Sequence, residues 1–409
     1  MSVLSSMSAK RERRSRLAEL PVLQIGFRPF FLGAALWLPA SLAIWLVMLG
    51  HRLPWEPATG GLAWHQHAAL FGGIGAIVAG FLLTAVPSWT GRPPLRGTAL
   101  LLLLLTWLGG RLAGLLPGTL GAILALLLEA AFLGALAAFA WREILAAGNR
   151  RNIPVAVLLS LLALGAVLSR LDPFLGAAVG SFGRRLGLAV ILMLLALIGG
   201  RITPAFTRNW LVQRGHRRLP AEWGRPDRLV LLLWGATLLL WLVASEAAAV
   251  PFLLSGVAHL VRLSRWRGGD TLAEPLVAVL HLGYAWLGIG GLLYGAALLG
   301  VGPPPSTAFH AFTTGAFGTM TLAVMTRATL GHTGRPLAAD RVTTAIYLLV
   351  VAGAVLRLLT PLWPGDPASV LVLSALAWGG AYILFAARFG PMLLRPRLTP
   401  INSGGSGRR

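Results

Sequence analysis

The chain has 409 residues, 56% of them hydrophobic and only 12% charged, with a formal net charge of +22. No soluble protein of this length could cover itself with so little polar side chain, so the solvent must be lipid. The absence of cysteine excludes structural disulfides, thiolate-bound haem, iron–sulfur clusters and c-type haem attachment.

The excess arginine falls mostly in short segments between apolar runs, which fits a membrane partner and not a nucleic acid. A membrane span needs roughly 20 apolar residues to cross about 30 Å of hydrocarbon. Such runs lie near 29–50, 62–87, 98–116, 119–141, 153–171, 185–203, 229–250, 251–265, 274–300, 307–328, 342–362 and 368–389. The eighth is short and opens at Pro251, which predicts a kinked or re-entrant segment and leaves eleven full spans open. Loop charge favours twelve. The segments 10–16, 92–96, 142–151, 208–228, 262–267, 327–341 and 395–409 are basic and alternate with poorly charged ones, as cytoplasmic loops do.

The expected fold is therefore all-α, a polytopic transmembrane helical bundle of about twelve spans with both termini cytoplasmic. Its expected limits are a cytoplasmic N-terminal tail at 1–20, the bundle at 21–394 and a cytoplasmic C-terminal tail at 395–409. The basic KRERRSR stretch precedes the first run without a small-residue cleavage site, so no signal peptide is expected. No internal repeat is visible, and the bundle is expected to be one domain.

The informative residues are the polar ones inside apolar runs, because an ionisable group in hydrocarbon is costly without a partner or a cavity. Six of the eight histidines lie in or beside the runs: His65, His67, His259, His281, His310 and His332. At about 1.5 Å of rise per residue, His65, His67 and His310 fall at one level near the outer boundary. His259 is expected about 10 Å inside the outer boundary of its span and His281 about 10 Å inside the inner boundary of its own. His65 and His67 are two apart, which on a regular helix turns them about 200° from each other and toward different sites. Hydrogen bonding at the interface is the plainer reading for each histidine alone; their clustering favours ligation.

A haem with two axial imidazoles needs histidines from two helices at one depth, a flat slot and cations for its propionates. Gly72, Gly73, Gly75 and Gly80 after His67, and Gly315 and Gly318 after His310, offer either a slot or close helix packing. Arg111, Arg170, Arg184, Arg185 and Arg357 lie near outer ends with few carboxylates to pair them, so they are candidates for propionates or simple snorkelling residues. His259, His281 and one of the His65/His67 pair are candidates for a second, deeper site holding copper or haem. Met320 and Met325 read as packing. Glu129 in mid-span is a proton-path candidate or a neutral carboxyl held by a neighbouring helix, and Glu246 lies near an outer end.

Several stretches resemble uninterrupted blocks of the NnrS family: GFRPFFLGAALW from Gly26, WHQHAALFG from Trp64, AGFLLTAVPSWTGRPPLRG from Ala79 and GGRITPAFTRNWL from Gly199. HLVRLSRWRG from His259, LHLGYAWLGIG from Leu280 and HAFTTGAFGTMTLAVMTRATLGHTGRPL from His310 extend the likeness along most of the chain. The resemblance implies a bacterial cytoplasmic (inner) membrane protein containing haem b and copper and linked to nitric oxide and nitrosative stress. It implies metal ligands among His65, His67, His259, His281, His310 and His332. Arg28, Arg201, Arg327 and Arg335 also fall within matching blocks; with Arg111 and Arg357 they are the cofactor-binding candidates, or ordinary positive-inside anchors. One departure is that the family's acidic residue and Met after the paired histidines are replaced here by Ala68 and Ala69. The expected function is binding, and reduction or sensing, of nitric oxide or a related nitrogen oxide, with a donor such as a quinol. A secondary transporter and a b-type electron carrier without turnover are the alternatives.

Overall fold

The computed structural model describes residues 17–50 and 55–398, so most of the expected tails, including the basic segment 10–16 and residues 399–409, lie outside it. Every described element is helical. In chain order the rods are α1 (Phe27–Leu49), α2 (Gly61–Thr90), α3 (Thr98–Ala113), α4 (Gly118–Ala146), α5 (Arg150–Arg170) and α6 (Ala177–Gln213). The second half comprises α7 (Arg225–Val243), α8 (Glu246–Ser264), α9 (Pro275–Leu298), α10 (305–332), α11 (Arg341–Leu362) and α12 (Pro367–Leu394).

Ten of these are long and apolar enough to cross a membrane. α3 has the composition but only 16 residues. α10 has the length, but its threonines, His310 and Arg327 dilute its hydropathy. Three rods differ most from the sequence reading. α6 runs Ala177–Gln213, well beyond the expected 185–203 at both ends. α7 stops at Val243, and α8 starts at Glu246 and runs 19 residues, long enough to cross. Pro251 lies in the first turns of α8, where its missing N–H leaves no helical bond unmade, so it neither kinks nor shortens the helix.

Burial sorts the rods into a centre and a rim. In the most apolar stretches of α2, α6 and α9, 78%, 72% and 67% of residues are buried, against 28% in α1 and 33% in α7 and α11. α9 packs on α10, and α6 packs on both α2 and α9. Around them α3, α4 and α5 pack in series against α2 and α6, α7 and α8 cover α6 and α9, and α11, α12 and α1 close the ring from α10 back to α2. Arg28 fastens that closure by donating to the carbonyls of Leu393 at 3.0 Å and Arg395 at 2.6 Å. Lipid tails are as apolar as leucine, so close packing and bonds between helices, more than hydrophobic burial, hold such a bundle together.

Three central helices carry π-helical segments: Ala68–Ile74 in α2, Leu195–Gly199 in α6 and Ala311–Phe317 in α10. Widening a helix displaces its carbonyls from their usual partners, and a neighbour must then satisfy them. Trp37 donates to Ala68 O at 2.9 Å, and Trp107 donates to Gly72 O at 2.9 Å. Trp378 donates to Thr314 O at 3.1 Å, and Arg262 donates to Ala196 O at 3.1 Å. Each π segment is thus pinned by an indole or guanidinium from a neighbouring rod, which holds the histidines flanking two of them, His67 and His310, in place.

Candidate functional site

The regular first turns of α2 send its paired histidines to different neighbours, as their spacing predicts. His65 stacks on Trp45 of α1, with ring centroids 4.8 Å apart and planes 14° apart, and its Nδ1 is buried without a partner. His67 turns toward α4 and α5. Its Nε2 lies 3.0 Å from Glu129 Oε2 and its Nδ1 2.9 Å from Ser169 Oγ. A carboxylate only accepts, so Nε2–H donates to Glu129 and Nδ1 accepts the Ser169 hydroxyl. His67 therefore has no free ring nitrogen in this arrangement. Arg111 of α3 forms an ion pair with the same Glu129 oxygen, and Arg170 of α5 stands 3.8 Å from it.

At the same end of the bundle His310 of α10 has Arg357 of α11 and His65 as its neighbouring charge-bearing groups. His310 Nδ1–H donates to Ser306 O at 2.6 Å. That bond fixes the tautomer and leaves Nε2 as a lone pair, the arrangement that suits imidazole ligation of a metal. Arg357 has no carboxylate partner among the described residues, and it lies partly buried in the last turns of α11.

A second buried network links α7, α8 and α9. Arg262 donates through Nε to Asp227 Oδ1 at 2.9 Å and through Nη1 to Tyr284 OH at 2.7 Å, and Tyr284 OH lies 2.9 Å from His259 Nδ1. Arginine only donates, so Tyr284 accepts from it and passes its own hydrogen to His259 Nδ1. The His259 proton then sits on Nε2, which is buried and without a partner. Asp227 is held by accepting from the Gly224 amide at the start of α7, at 3.0 Å.

The remaining candidates occupy separate surroundings. His281 Nε2 bonds Thr207 Oγ1 at 2.8 Å; that hydroxyl is committed to Thr203 O, so Nδ1 carries the lone pair, beneath Gly268. His332 packs on Phe27, with centroids 5.4 Å apart. Arg201 donates to Asn152 Oδ1 at 3.1 Å, Arg327 lies over the Phe206 ring at 4.0 Å, and Arg335 donates to Thr333 O. Arg184 pairs with Asp172 at 2.9 Å. Glu246 is exposed at the head of α8. Met320 and Met325 are buried in α10.

The glycines after His67 and His310 are filled by protein. A Cβ on Gly72 would meet Arg111 Nη1 at 2.6 Å and Trp37 Nε1 at 2.7 Å, and one on Gly315 would meet the Trp286 ring at 2.6 Å. Helix packing accounts for them. A cavity of about 90 Å³ does lie among α2, α6 and α10, lined by residues such as Ile77, Leu194, Ile198, Met320 and Val324. It has room for about three water volumes, well below the roughly 300 Å³ of a small cofactor pocket, and its apolar walls favour a dry interior. Ser169, Asp227, Arg262, Tyr284 and Thr207 escaped the sequence reading. Arg262 and Tyr284 lie inside the blocks that begin at His259 and Leu280, the one signal that pointed toward them.

These features define a multi-pass, all-helical membrane-type protein whose buried charge-bearing groups are imidazoles, guanidiniums and a few carboxylates. A family model described as NnrS protein matches residues 21–397, and the chain belongs to the NnrS family. No curated protein matches it.

Proposed function

We propose that this chain is a twelve-span protein of the bacterial cytoplasmic membrane, with cytoplasmic termini, that binds haem b at the His65 and His310 end of the bundle, with one of these imidazoles on the iron and one iron position left for nitric oxide or a related nitrogen oxide. The observation that carries this reading is the His310 Nδ1–H bond to Ser306 O, which leaves Nε2 as a lone pair at the end of the bundle where His65 and Arg357, without a carboxylate partner among the described residues, are the neighbouring charge-bearing groups. The donors fit the group, an imidazole with a free lone pair and a guanidinium for a propionate, while the glycines expected to form its slot are filled by Arg111, Trp37 and Trp286. Haem iron, when bound, supplies a redox-active position for a diatomic ligand. Trp45 fixes the plane of the His65 ring, Ser306 fixes that of His310, and Arg357 compensates negative charge. The dry central cavity suits an uncharged gas arriving from the lipid.

Copper fits less well. His259 carries its proton on the nitrogen that would ligate, and no three His, Asp or Glu side chains gather to hold a metal among the described residues. No step is drawn through it.

The test is a reduced-minus-oxidised optical spectrum of detergent-purified protein, with iron and copper counted in the same sample. Sharp b-type bands with stoichiometric iron, lost in His310→Leu while the thermal midpoint holds, are the expected result. Colourless, metal-free protein from haem-replete cells would overturn it and hand the buried Glu129 cluster to the transporter reading. Quinol-reducible bands that ignore nitric oxide would make the chain an electron carrier.

A further inference from the structure

Charge does not balance where α3, α4 and α5 pack against α2. Arg111 and Arg170 share the single carboxylate of Glu129. Arg184 is already matched by Asp172, and His67 is satisfied as a neutral ring. Two guanidiniums and one carboxylate leave a surplus of one positive charge, and protonating His67 would only enlarge it. Arginine does not release its proton in proteins, so the surplus persists.

The surplus is sealed from water: Glu129, Arg111 and Arg170 are 0%, 2% and 4% exposed. Hydrogen bonding is unbalanced in the same sense. Arg111 Nε, Arg111 Nη1 and Arg170 Nε are buried donors without acceptors, against one unpartnered acceptor, Glu129 Oε1. Unpaired charge and orphaned donors are both costly in a low-dielectric interior, and an added anion relieves both at once.

We propose that Arg111 and Arg170 hold a small monovalent anion of the chloride, nitrite or nitrate class. Packing sets the size. A Cβ on Gly72 would meet Arg111 Nη1 at 2.6 Å and one on Gly114 would meet Arg170 Nη2 at 2.7 Å, so the guanidiniums are walled on those sides. Gly110, which faces Glu129, has neighbours at ordinary contact distance, Leu128 Cβ at 3.6 Å and Glu129 Oε2 at 3.8 Å. Walls this close limit the guest to an ion of a few atoms. The site uses neither His65 nor His310 and stands apart from the haem reading. A haem propionate offers the same carboxylate chemistry, and the experiment separates the two sources.

Detergent-purified protein in sodium gluconate is titrated with sodium nitrite, and separately with sodium chloride, at constant ionic strength, following the thermal midpoint. The expected result is a saturable rise of about 2 °C or more that gluconate does not give. Arg111→Gln removes the surplus charge and should abolish the response. Glu129→Gln doubles the surplus and should tighten the apparent affinity at least about threefold, a readout that serves if Arg111→Gln fails to fold. Identical midpoints in nitrite, chloride and gluconate would overturn the proposal, as would a response unchanged by Arg111→Gln. A response confined to haem-free protein and lost on haem loading would assign the guanidiniums to a propionate and overturn the free-anion site. A metal-free protein that still shows the response would sink the haem reading and leave this one standing.

Discussion

The cluster around Glu129 and the network around Arg262 are assembled from the same parts. Each has a buried histidine, a hydroxyl, a carboxylate and arginine, drawn from three or four neighbouring rods. Their wiring differs. In the first, His67 bonds the carboxylate directly, both its ring nitrogens are used, and two arginines crowd one acid. In the second, Arg262 takes the acid, Tyr284 relays to the ring, and His259 keeps one nitrogen unpartnered. Arg265 also reaches Asp227, at 3.4 Å, but its side chain is 28% exposed and its charge is shared with water. The comparison teaches that order of connection, more than the inventory of residues, decides whether a buried polar group is locally complete. The Arg262 network is neutral and orients an imidazole; the Glu129 cluster is cationic and saturates one.

The largest expected effects test that difference in charge. Arg262→Met leaves Asp227 only the partly exposed Arg265 and the Gly224 amide and should cost about 3–5 kcal/mol in detergent unfolding, and adding Asp227→Leu should recover most of it, because a buried ion pair has been replaced by apolar groups. Glu129→Leu should cost at least as much, but adding Arg111→Met should recover only part, because Arg170 remains buried and unpaired. Equal recovery in the two double variants would break the comparison.

A middle-sized effect separates the two histidines. His67→Leu leaves Ser169 and Glu129 each short of a partner and should cost about 1–3 kcal/mol. His259→Leu removes an unpartnered N–H along with one bond to Tyr284, and should cost clearly less in the same assay. A larger loss for His259 would mean that its Nε2 has a partner the network does not show. Neither substitution should remove the b-type bands, which the outer-site reading assigns to His65 and His310.

How far the sequence reached depended on the kind of signal. Apolar length and loop charge located the twelve rods, most of them within a few residues though not α6, whose ends extend well beyond 185–203, because crossing hydrocarbon imposes a long-range pattern that composition records directly. The divergence of His65 and His67 was legible too, since two residues of helix fix an angle. The partners were not. Nothing in the letters says that Trp37 and Trp107 must cap carbonyls of a π segment, that Tyr284 stands between Arg262 and His259, or that Arg111 faces Glu129 and not a cofactor. Those pairings span up to 35 residues, and the His67–Ser169 bond spans 102, so they arise only when rods pack. Glycines after His67 misled for the same reason: a missing side chain shows that something approaches, while the folded neighbours show what it is.

The smallest expected effect comes from an exposed ion pair between Asp340, ahead of α11, and Arg388 near the end of α12, and it tests whether burial is what makes the two inner networks costly to break. Asp340, before α11, accepts from the Thr343 amide at 2.8 Å and its hydroxyl at 2.6 Å, and pairs with Arg388 of α12 at 2.7 Å. Desolvation pushes its carboxyl up, but the Thr343 bonds and Arg388 outweigh that and hold it down at about 2. The folded value lies below the unfolded value of about 3.9, so this group's stabilisation is fully present above about pH 4 and is lost as pH falls toward about 2. The Asp340 and Arg388 side chains are 42% and 41% exposed, so water screens the pair to well under about 1 kcal/mol, even though its contact is closer than the 2.9 Å of Arg262 and Asp227. Asn serves about as well as Asp at an N-cap, so Asp340→Asn should leave the neutral-pH midpoint nearly unchanged and flatten the acid limb between pH 4 and 2. A loss at neutral pH as large as that of Arg262→Met would show that contact distance, and not exclusion of water, sets the cost of breaking these pairs.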